Sequence, residues 1–320
     1  MSGPPPQQYA ECALAAVDLV GGYDGRRVLD GLTLFVRQGR ITVVMGPSGA
    51  GKTTCVRHLV GLALPWSGRV LLDGRDTRQM TDEQLRGEQQ KLSVMLQGSA
   101  LFGAGLAWSL SVFDNVAYPL RSRSSLREPD VAERVRRSLR QVGLVQQEQT
   151  PLGSLSAGMV QRVSLARALV SGSPTVVLDS PDTGVDSVRM HAVADAVKAA
   201  HAETGATFLI ATHHAGLARA VGQDLAVLRA GRIIDHGPVD EVLRDADRFP
   251  AQFLRGDPAS GLAMTDDLEG PVPPTVAPDD AGARRAVALA AVAGVVLLAM
   301  LLLIVVALVV LRGPNVPPGP

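Results

Sequence analysis

Several things are scarce in this chain of 320 residues, and each scarcity excludes something. Aromatic side chains make up only 3% of it, too few for the stacking platforms that hold unpaired bases. Formal net charge is zero at neutral pH, with 31 basic against 31 acidic residues, which argues against a strongly basic nucleic-acid protein and leaves no nucleic-acid partner expected. Lysine is rarer still: only Lys52, Lys91 and Lys198 occur, the other basic residues being arginine. Cys12 and Cys55 are the two cysteines, far apart in sequence. They imply no disulfide framework and suit a reducing compartment as packed thiols. His191, His201, His214 and His236 share no metal-ligand spacing. The first nine residues are polar and Pro-rich, without the basic start and apolar centre of a secretory leader, and are expected to be disordered.

Composition divides what is present into zones. Residues 10–256 mix short apolar runs with polar helical stretches and read as one cytoplasmic domain. Residues 257–285 carry Pro258, Pro271, Pro273, Pro274 and Pro278 among acidic side chains and read as a flexible linker. Residues 286–311 hold no charge and are mostly apolar. About 26 residues at ~1.5 Å each give roughly 39 Å, enough to cross a ~30 Å hydrocarbon layer with some tilt. This segment is expected to be a single-pass anchor in the inner (plasma) membrane, flanked by Arg284, Arg285 and Arg312, with a short tail at 312–320.

Within the first zone, residues 41–45, 93–96, 175–178, 207–210 and 225–228 are continuous apolar runs that suit buried strands of a parallel sheet. Residues 53–60, 130–142 and 161–170 read as helices. There are no heptads and no internal repeat.

The strongest motif is Gly46-Pro47-Ser48-Gly49-Ala50-Gly51-Lys52-Thr53, followed by Thr54. It fits the pattern G-x-x-x-x-G-K-[ST] and lies between a strand and a helix, as its mechanism requires. Glycines let successive backbone N–H groups curl toward phosphate oxygens, and the helix N-terminus adds partial positive charge. Lys52 would reach the β- and γ-phosphates and the Thr53 hydroxyl would ligate Mg²⁺, so ATP and Mg²⁺ are the expected ligands. Four weaker signals follow in order: Gln97 at the end of a strand; Leu155-Ser156-Ala157-Gly158-Met159 before a helix; Asp179 at the end of the run 175–178; and His213 after another strand.

Together these residues resemble the nucleotide-binding subunit of an ABC transporter over about residues 13–243. The resemblance implies an α/β fold of the P-loop NTPase class. A mixed sheet core, a helical subdomain at about 80–172 bearing the signature, and N-terminal antiparallel strands at 13–36 are expected. It implies that Tyr23 stacks on adenine and that Ser156, Ala157 and Gly158 cap the nucleotide of an opposite subunit. Gln97 is implied to sense Mg²⁺ and the membrane partner, Asp179 to hold the metal, Asp186 to form the dimer-contact loop, and His213 to switch near the γ-phosphate. The hairpin-like stretch 227–237, with Gly231 and Gly237, also matches the family. The implied partners are a second ABC ATPase subunit, in a homo- or heterodimer, and membrane permease subunits. Ser99-Ala100-Leu101-Phe102, the stretch 111–120 and Met159 are similar to the Mla/Mce branch, which moves phospholipids and other lipids. About five extra residues near 103–108 depart from its usual spacing.

One departure bears on chemistry. The family usually has Glu after the strand-end Asp, whereas here Asp179 is followed by Ser180. Serine accepts no proton near neutral pH, and loss of a general base costs about 10²–10⁴ in rate. ATP binding is expected to persist while hydrolysis weakens. Three accounts stand side by side: a degenerate half of a heterodimer; a slow homodimer in which Asp182 or His213 partly compensates; and a membrane-anchored, ATP-gated regulator. A DNA-repair or translation ATPase is disfavoured by the apolar segment and the neutral charge.

Overall fold

The computed structural model describes residues 9, 11–96, 106–184 and 187–244. Gln97, Asp186, residues 103–105 of the extra stretch near 103–108, the linker and the apolar segment 286–311 lie outside them. Among the described residues no helix is long and apolar enough to cross a membrane.

The chain opens on a hairpin, β1 (Cys12–Tyr23) and β2 (Arg26–Arg37). Its two-residue turn, Asp24-Gly25, has both φ angles positive, at 51° and 75°, the twist that matches an antiparallel ribbon. β3 (Ile41–Met45) then leads through the Gly-rich loop into α1 (Lys52–Leu59). β4 (Ser67–Leu72) and the short β5 (Arg75–Asp76) complete a four-stranded antiparallel sheet in the order β2-β1-β4-β5. α2 (Asp82–Gln90) starts on a capping box, the Thr81 hydroxyl accepting from the Gln84 N–H and the Gln84 side chain accepting from the Thr81 N–H.

β6 (Leu92–Met95) returns the chain to a second sheet. A run of helices follows: α3 (Val112–Arg123), capped by Ser111; α4 (Glu128–Gln141); and α5 (Ala157–Leu169), capped by Ser156. β7 (Thr175–Asp179), α6 (Ser187–Thr204), β8 (Thr207–Thr212), α7 (Ala215–Val221), β9 (Asp224–Arg229), β10 (Arg232–Pro238) and α8 (Val239–Val242) finish the described fold.

The second sheet has the order β10-β9-β3-β8-β7-β6. Its neighbours run parallel except the β9–β10 hairpin, so the expected mixed sheet is present. Its inner strands are mostly apolar and buried because both faces are covered, whereas the edge strand β10 is partly polar and only half-buried. Alternation sorts their side chains. Ile41, Val43, Met45, Phe208 and Ile210 join one core with Val116, Leu139 and Val163 of the helices. Val44, Val177, Leu209 and Ala211 join another with Cys55, Val56 and Leu59 of α1 and with Leu14, Leu19 and Leu34 of the antiparallel sheet. α1 is therefore a layer between two sheets.

The expected strands all form, with ends that differ by one or two residues. α5 begins at Ala157 rather than Gln161, because Ser156 caps it inside the signature motif. The stretch 80–172 is helical apart from loops, short turns and β6, which belongs to the core sheet. At the end of the sheet opposite the Gly-rich loop, register is held by Asp224, whose buried carboxylate accepts from Arg40 Nε at 2.6 Å and Arg40 Nη2 at 2.9 Å. This bidentate pair ties the start of β9 to the start of β3.

Because α1 is clamped on both sides, Leu59→Ala should cost about 2–5 kcal/mol, read as a lower urea midpoint with little change in slope. The exposed Leu62→Ala, one turn on, should stay within about 0.5 kcal/mol of wild type.

Candidate functional site

The sheet order decides what can meet. β3, β8 and β7 are adjacent and parallel, with Met45 opposite Thr212 and Asp179 opposite Ala211. The residues that leave these three strands at their carboxyl ends therefore emerge side by side, the usual place for a ligand in an open α/β sheet.

From β3 comes the loop Gly46–Thr53. Gly46 packs so closely that an added Cβ would stand 2.2 Å from the Leu228 carbonyl oxygen. Gly49 and Gly51 have φ of 81° and 102°, which a side chain would strain. The Ala50 carbonyl accepts from the Gly231 N–H at 3.2 Å, so the β9–β10 turn braces the loop. Lys52 Nζ donates to the carbonyls of Gly46 at 2.7 Å and Pro47 at 2.8 Å. Burial pushes the Lys52 ammonium below its usual pKa range, while the charges of Asp179 and Asp182 oppose that push. Thr53 and Thr54 lie in the first turn of α1, where backbone N–H groups lack helical partners.

From β7 comes Asp179, fully buried. Its neighbour Ser180 has φ of 54° and donates its N–H to the Ala211 carbonyl at 2.8 Å. The Ser180 hydroxyl stands 3.5 Å from Asp179 Oδ1. From β8 comes His213, half exposed, with Nδ1 3.6 Å from the buried Oδ2 of Asp182. Thr212 Oγ1 donates to Asp182 Oδ1 at 2.9 Å and accepts from the His214 N–H at the same distance.

Pro47, Ser48, Ala50, Lys52, Asp179 and His213 are thus gathered at one end of the sheet. Tyr23 sits at the tip of the β1–β2 hairpin and is 54% exposed. Val28 and Leu29 of that hairpin flank Gly51. Ser156, Ala157 and Gly158 lie at the start of α5, against the turn after β7 rather than around the Lys52 loop. A Cβ on Gly158 would stand 2.9 Å from the Gly184 carbonyl oxygen.

Two side chains escaped the sequence reading. Gln161 Nε2 donates to the Ser180 carbonyl at 2.8 Å, joining α5 to the turn that bears Asp182. Thr212 had no motif of its own. The adjacency of β7 and β8 gives Thr212 its role, and the packing of α5 against the turn after β7 gives Gln161 its own. Cys55 matches its expected part as a packed thiol, pushed up to about 12 by burial and, secondarily, by the charge of Asp179. A thiol in that state is no nucleophile.

Oxygen ligands from Thr53 and Asp179 fit Mg²⁺, which favours hard donors and completes its octahedron with phosphate and water. No cluster of three or more His, Cys, Asp or Glu among the described residues would hold a metal alone.

Comparisons with known proteins agree with this geometry. A profile of the ABC transporter family matches residues 29–183. The chain is 31% identical over 257 residues to a probable ribonucleotide transport ATP-binding protein, mkl, of Mycobacterium leprae, covering 80% of this chain and 73% of that one. It is 32% identical over 248 residues to the intermembrane phospholipid transport system ATP-binding protein MlaF of Escherichia coli, covering 78% and 87%. Among solved structures, a dimeric ATP-binding cassette in a post-hydrolysis state with ADP and phosphate superposes with a TM-score of 0.63 at 25% identity, covering 71% of this chain and 98% of that one.

Lys52→Ala should weaken ATP binding about 10- to 100-fold, the loss of a charged contact worth ~1.5–3 kcal/mol, as measured by equilibrium titration. ABC ATPase domains bind ATP with Mg²⁺, hydrolyse it, dimerise and pair with membrane permease subunits. With its phosphate loop, strand-end carboxylate, capped signature helix and relatives all in accord, this chain belongs to the ABC transporter ATP-binding family.

Proposed function

We propose that this chain is the ATP-binding subunit of a lipid-moving ABC transporter, and that it holds ATP well but turns it over slowly. The observation that carries the second half is Ser180. Its hydroxyl occupies the place after Asp179 where the family's water-activating carboxylate is usual, and a hydroxyl is no base at neutral pH. The binding residues are untouched by that change: Lys52, Thr53, Thr54 and the glycines of the loop cradle the phosphates, Asp179 and Gln97 serve Mg²⁺, and Tyr23 stacks on the base. Ser156, Ala157 and Gly158 act on the nucleotide of the opposite subunit, with Asp186 at the contact between the two.

Lipid as cargo is supported by similarity to MlaF and by the segment Ser111–Leu120. Trp108, Leu110 and Tyr118, close in sequence around the start of α3, are exposed apolar side chains of the kind a permease helix covers. The similarity to the ribonucleotide-transport relative is at least as great, so cargo rests on the segment rather than on identity. Residues 10–256 form the ATPase domain on the cytoplasmic face, residues 257–285 a tether with a reach on the order of 30 Å, and residues 286–311 a membrane anchor.

Ser180, together with Ala157 in the signature, also favours a second reading. In it the chain is the non-catalytic half of a heterodimeric ATPase, or an anchored regulator that responds to ATP.

Ser180→Glu should raise steady-state ATP turnover of the full chain by about 10²- to 10⁴-fold. Equal rates would dismiss Ser180 as the limit. Deleting residues 286–311 should release the protein from membranes that lack a permease. Continued sedimentation with lipid alone would rule out the anchor.

A further inference from the structure

Ser180 removes one carboxylate from the site, but the turn that follows brings another. Asp182 lies three residues after the end of β7, and its side chain is only 1% exposed. A buried carboxylate is costly unless its oxygens are served. One oxygen accepts from Thr212 Oγ1 at 2.9 Å, and the other faces His213 Nδ1 at 3.6 Å. The second distance is too long for a hydrogen bond, though contacts of this kind are commonly long before substrate binds and tighten with it. Asp182 is held from three sides. Thr212 is the last residue of β8, Ser180 is pinned to Ala211, and Gln161 grips the Ser180 carbonyl. Its charge is felt at Lys52, within the phosphate loop itself. His213, by contrast, is 56% exposed and leaves β8 beside Gly46, where the loop leaves β3.

We propose that the carboxylate absent at position 180 is replaced from position 182, where Asp182 positions His213 and His213 takes the proton of the attacking water. The proposal rests on the reading of this site as one that hydrolyses ATP, and it identifies what sustains the slow turnover. With Nδ1–H turned to Asp182, Nε2 keeps its lone pair. Water forms a bond to the γ-phosphorus while the bond from that phosphorus to the bridging oxygen breaks, its electron pair leaving on ADP. The water proton passes to Nε2. Asp182 stabilises the resulting imidazolium, which then returns its proton to solvent. Asp182 is a positioning residue here, and it never needs to touch the nucleotide.

The test uses the full chain in lipid and four variants: Asp182→Asn, His213→Gln, the two combined, and Asp182→Asn with Ser180→Glu. Each is measured for equilibrium ATP affinity and for kcat and KM. Asp182→Asn keeps an acceptor for Thr212 and removes only the charge. Each single change should lower kcat about 100-fold. ATP affinity and KM should stay within about twofold, and the double variant should fall no further than the singles, because the pair acts as a unit. Ser180→Glu should restore turnover to Asp182→Asn. An unchanged kcat in Asp182→Asn overturns the proposal. So do losses that multiply in the double variant, or a kcat loss in Asp182→Asn accompanied by lost ATP affinity, which marks a purely structural role. A wild-type chain that binds ATP without turning it over overturns the pair while leaving the nucleotide site intact. A wild-type chain that fails to bind ATP overturns both.

Discussion

One constrained cation organises this end of the molecule. Lys52 holds its ammonium among the carbonyls of Gly46 and Pro47, partly out of water. That arrangement demands a loop without side chains at its tightest points, a helix start directly behind it, and carboxylates near enough to favour the charged form. Each demand reaches further into the fold. The loop stays in place because Gly231 braces Ala50 and because Gly46 lies against the Leu228 carbonyl. The helix stays in place because two sheets bury Cys55, Val56 and Leu59 between them. The carboxylates arrive because β8 lies beside β3 and β7 beside β8 in the same sheet.

Much of this was legible in the residues. A phosphate loop is a local object, its glycines, lysine and flanking strand and helix all lying within about fifteen residues, so sequence alone reveals it. The buried strands were legible for a similar reason, since continuous apolar runs need a sheet covered on both faces. The start of α5 lies four residues earlier than expected. The sequence points to Gln161, whereas the Ser156 hydroxyl caps the helix inside the signature motif.

What the residues did not reveal depends on strand order. Asp182 and Thr212 are 30 residues apart, and Gln161 and Ser180 are 19 apart. Neither pair has a pattern, because each arises only when a parallel sheet places β7 next to β8 and α5 against the turn. Gly158 shows the same limit differently. Its place in the signature suggests a phosphate beyond, but within the chain its missing side chain also makes room for the Gly184 carbonyl.

That close approach has a mechanical consequence. Gly158 and Gln161 lie on the same helix, one against the carbonyl of Gly184 and the other bonded to the carbonyl of Ser180. The signature helix therefore grips both ends of the turn that carries Asp182. The helix cannot tilt without dragging the acidic turn of its own site, so the position of Asp182 is coupled to that of α5.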